Sequence, residues 1–228
     1  MSFALGDPGA LVERAHAAGT KVIHQVHTVA QAREAAERGV DVVIAQGSEA
    51  GGQGMAAGVG TMALVPQVVD AVDPIPVLAA GGIADGRGLA AALALGAAGA
   101  NVGTRFLASE EAAAEDDWKR RIAEVESEDV VRFLSWSAIM PPAPPGAYDL
   151  VPRVIRTDFV AEWESRREDA AAEAERLRSE IMSAVREGRT HEVVPFTGQT
   201  AGMITDVRPA AKIVRDMVAE AQRVVEFG

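Results

Sequence analysis

Gly81 and Gly82 stand directly behind the apolar run 76–80 (PVLAA) and just ahead of an amphipathic stretch, 87–95. Glycines at such a junction let backbone N–H groups close on an anion, and the start of the following helix adds favourable partial charge. Gly103 and Thr104 repeat the arrangement at the end of the next run, 100–104 (ANVGT), with a hydroxyl donor added. Two strand-end glycine turns in succession describe the phosphate site that many (β/α)8 barrels build from the loops after their last two strands. The plain alternative, that each pair only makes a tight turn, suits one such turn better than two. A third glycine-rich segment, 47–54 (GSEAGGQG), follows the run 41–46. Gln46 at its head offers both a donor and acceptors to a polar heterocycle. Gly51 and Gly52 would let a flat ligand lie against backbone, although a merely flexible loop reads the same way.

Histidines are the remaining candidates for proton transfer. His24 and His27 flank Gln25 on one short apolar run, so strand alternation sends them to opposite faces. His27 is nearer the C-terminal end, where barrel active sites sit, and could serve as a base. A hydrogen-bonded structural role is the stronger expectation for it. His16 and His191 have no partner motif and read as surface residues. No pair of histidines or carboxylates has metal-ligand spacing, so no metal is expected. The chain contains no cysteine, which removes a disulfide framework, a thiolate metal site and a cysteine nucleophile together. Trp118, Trp136, Trp163 and Tyr148 read as core or lid packing.

The elements that must hold these groups share one rhythm: a short apolar run, a glycine-bearing turn, then an Ala-rich amphipathic stretch. Strands are predicted over 21–27, 41–46, 76–80 and 100–104, and helices over 29–38, 62–71, 87–95 and within 109–126. Thr28 sits where an N-cap belongs and Gly39 where a helix stops. Such alternation marks βα units and a parallel sheet. Residues 2–5 read as the end of a further strand, followed by a helix that closes near Gly19. Downstream the rhythm breaks. Residues 140–145 (MPPAPP) form a rigid loop unable to join a sheet. Residues 158–187 read as one long, largely solvated helix dense in Glu, Arg and Ala. The loop PFTGQTAGM then leads to a final amphipathic helix over 207–225. No linker separates domains, so 1–228 is read as a single domain in which 110–228 carries a loop insertion and a helical extension.

Composition narrows the partners. The chain has 228 residues, 48% of them hydrophobic but only 4% aromatic, so its core must be built from small aliphatics, as suits a parallel sheet wrapped by helices. With 33 acidic against 22 basic side chains, the formal charge is −11. That balance disfavours a nucleic-acid backbone, which needs clustered Lys and Arg. No apolar run approaches the roughly 20 residues of a membrane span, and the first residues lack the pattern of a signal peptide. The expectation is a cytoplasmic protein acting on a small molecule.

The motifs AQGSEAGGQG, PVLAAGGIADGRG, ANVGTRFLASEEA and TGQTAGMI, in this order, resemble the nitronate monooxygenase family, formerly called 2-nitropropane dioxygenases. The likeness covers the whole chain. It implies an FMN-dependent (β/α)8 TIM barrel, related to FMN-containing enoyl-ACP reductases. By this resemblance Gln46 and Gly51 would contact the flavin, Gly81 and Gly82 would bind its phosphate, and Asn101, Val102, Gly103 and Thr104 would complete the cradle. Gln199 and its neighbours would lie in a loop near the cofactor. The reaction implied is oxidation of an alkyl nitronate, or a similar small anion, with dioxygen to a carbonyl compound and nitrite.

The chain departs from the family pattern in two ways. The family's loop ends Glu-Ala-Gly-Gly-His, the histidine being the active-site acid/base, and here Gln53 takes that catalytic position. Glutamine exchanges hydrogen bonds but takes no proton near neutral pH. The family barrel also begins with three further βα units, so residues 2–5 would be the stump of strand four, with strands five to eight intact. An incomplete barrel is expected, open at its sheet edges and inclined to associate into homo-oligomers through them. An enoyl-ACP reductase-like enzyme and a non-catalytic flavin- or phosphate-binding half-barrel are the alternative readings.

Overall fold

The structure, a computed structural model, describes residues 1–4, 6–141 and 150–226. In chain order its first part comprises β1 (Ser2–Phe3), α1 (Leu11–Ala17), β2 (Ile23–Val26), α2 (Val29–Glu37), β3 (Val42–Gln46), β4 (Gly52–Met55), α3 (Thr61–Val72), β5 (Val77–Ala80), α4 (Gly86–Ala94), β6 (Gly99–Asn101) and a short α5 (Thr104–Leu107). There follow α6 (Asp116–Glu124), β7 (Val130–Arg132), α7 (Trp136–Ile139), β8 (Leu150–Ile155), α8 (Asp158–Ser165), α9 (Arg167–Ala170), α10 (Ala174–Arg186), α11 (Thr190–Val193) and α12 (Ala210–Glu226). Single 3-10 turns lie at Ser127–Asp129 and Gln199–Met203.

The repeated strand–helix rhythm folds as βα units. Strands β1, β2, β3, β5 and β6 form one parallel sheet in that order, with Ile23 beside Val42, Val43 beside Val77 and Leu78 beside Gly99. Strand neighbours follow chain order, as around the wall of a (β/α)8 barrel, and the fold is of that α/β type. The wall does not close: among the described residues β1 and β6 are edges, each with one neighbour. Local chemistry punctuates the units. Thr28 Oγ1 accepts from the Gln31 amide to cap α2, and the Asp85 carboxylate accepts from the Arg87 and Gly88 amides to cap α4. Such caps contribute about 1 kcal/mol each.

The core of this sheet is assembled from small side chains, with Val22, Val43, Ala45, Val65, Val68 and Ala79 fully buried and no aromatic among its buried members. Helix α12 closes over α4, where the Gly86 amide donates to Glu220 Oε2 at 2.8 Å. The approach is close enough that a Cβ on Gly86 would come within 2.4 Å of the Ala221 amide nitrogen.

The second half departs from the expectation. Strands β4, β8 and β7 form a separate antiparallel sheet, with Gln53 opposite Pro152 and Arg132 opposite Arg153. No strand was predicted there, and β4 lies inside the segment read as loop. The stretch 158–187 is not one solvated helix. It breaks into α8, α9 and α10, which bury Phe159, Trp163, Leu177 and Ile181 in a second core with Phe133 and Ile139. The charged faces remain outside, laced by pairs such as Arg176 with Glu173 and Glu180. Within 109–126 only Asp116–Glu124 is helical. Leu5, the proline loop at 142–145 and Tyr148 lie outside the described residues.

Candidate functional site

The C-terminal ends of the parallel strands surround a cavity of about 560 Å³, within the range of roughly 300–1,000 Å³ typical of small-molecule sites. Its floor is Gln25 of β2, Gln46 at the end of β3, and the turns that leave β5 and β6. Its far wall is aromatic, formed by Trp118, Phe106 and Phe196. Gln46, Gly51, Gly81, Gly82, Asn101, Val102, Gly103 and Thr104 all line this one cavity. A second cavity, about 370 Å³, lies between Gly6–Pro8 after β1, His24 of β2 and α2, and shares no lining residue with the first.

Each glycine serves the cavity differently. Gly81 and Gly82 have φ of +92° and +72°, a region that L side chains avoid, so the chain can turn sharply off β5. Gly51 is demanded by close approach: a Cβ there would come within 2.4 Å of the Gly198 amide nitrogen. A Cβ on Gly103, by contrast, would meet no protein atom within 4 Å, because that face opens into the cavity. Thr104 Oγ1 accepts from the Gly198 amide at 2.9 Å, which leaves its O–H free to donate. Gly198 and Thr200 also line the cavity, while the Gln199 amide donates to the Glu49 carbonyl at 2.9 Å. Backbone turns open to the cavity, a hydroxyl donor, two glutamines and an aromatic wall fit a phosphate-bearing flat ligand such as FMN.

Glu49 was not singled out from the sequence, yet among the described residues it is the one titratable side chain on the lining. Both its oxygens accept from the Thr61 amide at 3.0 Å, and Oε2 accepts also from the Thr61 hydroxyl. It therefore acts as a remote cap on α3, whose own N-cap residue is Gly60 and lacks a side chain to do so. Its signal in the sequence is an acid isolated in a glycine-rich segment. Trp118, read only as packing, lines the cavity and fixes the loop beyond it by donating from Nε1 to Thr197 Oγ1 at 3.1 Å. Trp136 stays one layer back, edge-to-face on Phe196 with centroids 5.6 Å apart.

Gln53 sits on β4 and is not among the lining residues. It meets the site through its backbone, whose carbonyl accepts from Gln46 Nε2 at 3.2 Å. His27 is buried against a void of only about 10 Å³ on the other side of Gln46 and Ala50. Its amide donates to Gln31 Oε1, and burial, with Arg132 and His24 nearby, holds its ring below the usual histidine range. His24, outward on the same strand, is buried with no partner for Nδ1 among the described residues, and burial likewise lowers its pKa. His16 and His191 pair with Asp41 and Glu115 at 2.9 Å, away from the cavity.

No described helix is long and apolar enough to cross a membrane. Residues 1–220 match the family model for nitronate monooxygenase. The chain is 34% identical to the nitronate monooxygenase of Neurospora crassa over 96% of its own length and 60% of that protein. Among solved structures it resembles FabK from Thermotoga maritima, with a TM-score of 0.85 and 36% identity over 99% of this chain and 68% of that one. The nitroalkane oxidase of Streptomyces ansochromogenes matches with a TM-score of 0.80 and 31% identity, over 98% and 65% of the two chains. The chain spans about three fifths of the length of the curated relatives it matches. By the family match and these likenesses, the chain belongs to the nitronate monooxygenase family.

Proposed function

We propose that the protein is an FMN-dependent oxidoreductase that oxidises alkyl nitronates with dioxygen to a carbonyl compound and nitrite. The observation that carries this reading is the convergence of the glycine turns after β5 and β6, the Thr104 hydroxyl and the Gln46 amide on one cavity. The turns at Gly81–Gly82 and Gly103–Thr104 would hold the flavin phosphate through backbone N–H groups and the Thr104 hydroxyl. Gln46, oriented by the Gln53 carbonyl, would exchange hydrogen bonds with the polar edge of the ring. Bound there, the flavin supplies electron transfer from the substrate and onward to dioxygen.

The lining also favours a particular substrate form. Its titratable side chain, Glu49, is engaged by Thr61, and His27 is turned to the small void. A nitronate arrives already deprotonated and asks for no base, whereas a neutral nitroalkane must lose a proton before it can be oxidised. The purified chain, titrated with FMN, should quench the flavin's fluorescence at a stoichiometric end point. The loaded protein should then release nitrite from an alkyl nitronate much faster than from the matching neutral nitroalkane. Equal rates on the two forms would overturn the substrate assignment. Oxidation of NADH or NADPH coupled to an enoyl thioester, with no nitrite from nitronates, would replace it with a reductase.

A further inference from the structure

Residues 49–52 line the proposed flavin cavity, and nearly every part of the 47–52 backbone that carries them is tied to something else. The Gly47 amide donates to the Ala80 carbonyl and the Ser48 amide to the Val59 carbonyl, both at 2.8 Å. The Glu49 carbonyl accepts from the Gln199 amide, and the Glu49 carboxylate is fixed on Thr61. The Ser48 carbonyl is held from the other sheet. Arg153, in the middle of β8, donates to it from both Nε at 3.1 Å and Nη2 at 2.8 Å. Its remaining nitrogen, Nη1, donates to the Val130 carbonyl at 3.0 Å, which locks the guanidinium plane itself. The group is half-buried, and among the described residues no carboxylate forms an ion pair with it. A planar fork that seizes one carbonyl with two N–H groups has no lysine equivalent.

We propose that Arg153 is a positioning residue for the cofactor segment: by clamping the Ser48 carbonyl it pre-forms the 47–52 backbone in its ligand-receiving shape. The assignment rests on the flavin reading of the cavity. A segment ordered beforehand loses no conformational freedom on binding, so its clamp is expressed as affinity. Arg132, opposite Arg153 on β7, provides the matched control. It donates to the Met55 and Ala56 carbonyls, beyond the cavity lining, and so braces the neighbouring backbone, with no hydrogen bond to the cofactor segment among the described residues.

The test uses the full chain and two readouts. In Arg153→Met, FMN affinity measured by fluorescence quenching well below the melting temperature should fall about tenfold or more, and binding entropy by calorimetry should become less favourable. Arg153→Lys, which keeps the charge and loses the fork, should restore little of this and covers the case in which Arg153→Met does not fold. Arg132→Met should bind FMN within twofold of the parent chain. Without any ligand, amide hydrogen exchange over 49–52 should quicken in the Arg153 variants and stay at the parent rate in Arg132→Met. Parent-like FMN affinity in both Arg153 variants, or an equal loss in Arg132→Met, would overturn the assignment. So would unchanged exchange over 49–52, even if the parent chain binds no FMN. Failure of the parent chain to bind FMN, with exchange behaving as expected, removes the flavin reading and leaves the clamp.

Discussion

The two sheets of this molecule solve different problems with different side chains. The parallel sheet packs valine, alanine and leucine so that its strand ends can offer backbone to a ligand. Behind the antiparallel sheet, Phe133 packs with Phe159 and Trp163 of α8 in a large-residue core, and the arginines of this sheet reach back to carbonyls of the first half. Small side chains let helices approach the parallel wall closely, whereas each large aromatic buries more area in the support. The site arises where the two meet: glycine turns from one, bracing from the other. Binding and bracing are therefore separable, and the difference can be attacked from either side.

The largest effect should come from the aromatic core. Phe133 is fully buried, with Phe159 edge-on at 6.1 Å, so Phe133→Ala should cost about 3–5 kcal/mol in urea unfolding. Val43→Ala in the small-residue core removes far less apolar surface and should cost about 2 kcal/mol. Equal losses would erase the proposed contrast. Next in size is Gly51→Ala, whose new methyl must push aside the Gly198 backbone at a cost of roughly 1–3 kcal/mol. Its FMN affinity should fall as well, and unchanged binding would show that the contact between the two halves is not needed by the site.

Smaller effects test the local grammar. Thr28→Ala deletes the cap on α2 and should lower stability by about 1 kcal/mol without altering ligand binding, because that helix lies outside the cavity. The smallest is acid-dependent. Burial tends to raise the Glu115 pKa, but hydrogen bonds from Thr190 and His191 outweigh it and hold the carboxyl below its ordinary value. The contribution is fully present above the unfolded carboxyl value of about 4.3 and is lost as pH falls through the lower folded value. Glu115→Gln should therefore flatten the stability curve between pH 5 and 3, by roughly the part this tie supplies, as followed by thermal melts. An identical pH profile in the variant would remove the tie between α6 and α11 from the balance.

The parallel half was legible because its signals are local. Thr28 and Asp85 cap the helices that follow them, Gly39 and Gly96 stop those helices, and the apolar runs between them became β2, β3, β5 and β6 within a few residues. The antiparallel half was not, because its signals are distant. A run such as LVPRVI gains its strand identity from pairing with Val130–Arg132 on one side and with Gly52–Met55, about a hundred positions earlier in the chain, on the other, and chain-distant pairing leaves no local periodicity. The helical stretch 158–187 has enough charge to look solvated throughout, and only contact with Phe133 and Ile139 shows which of its faces is buried. Arg153 did leave a trace, a lone cation in an apolar run, but nothing nearby in sequence names its partner.

By itself, then, the sequence determined the βα rhythm and the glycine turns that meet around the cavity, because such turns and caps act within a few residues of where they stand, whereas Asn101 and Val102 were named by the family resemblance. Tertiary structure alone decided that Gln53 lies off the cavity and presents only its carbonyl, that Glu49 caps a helix twelve residues away, and that Arg153 reaches Ser48. Those outcomes depend on which unpaired carbonyl or amide a folded neighbour brings within about 3 Å, and that distance exists only once the two sheets have docked.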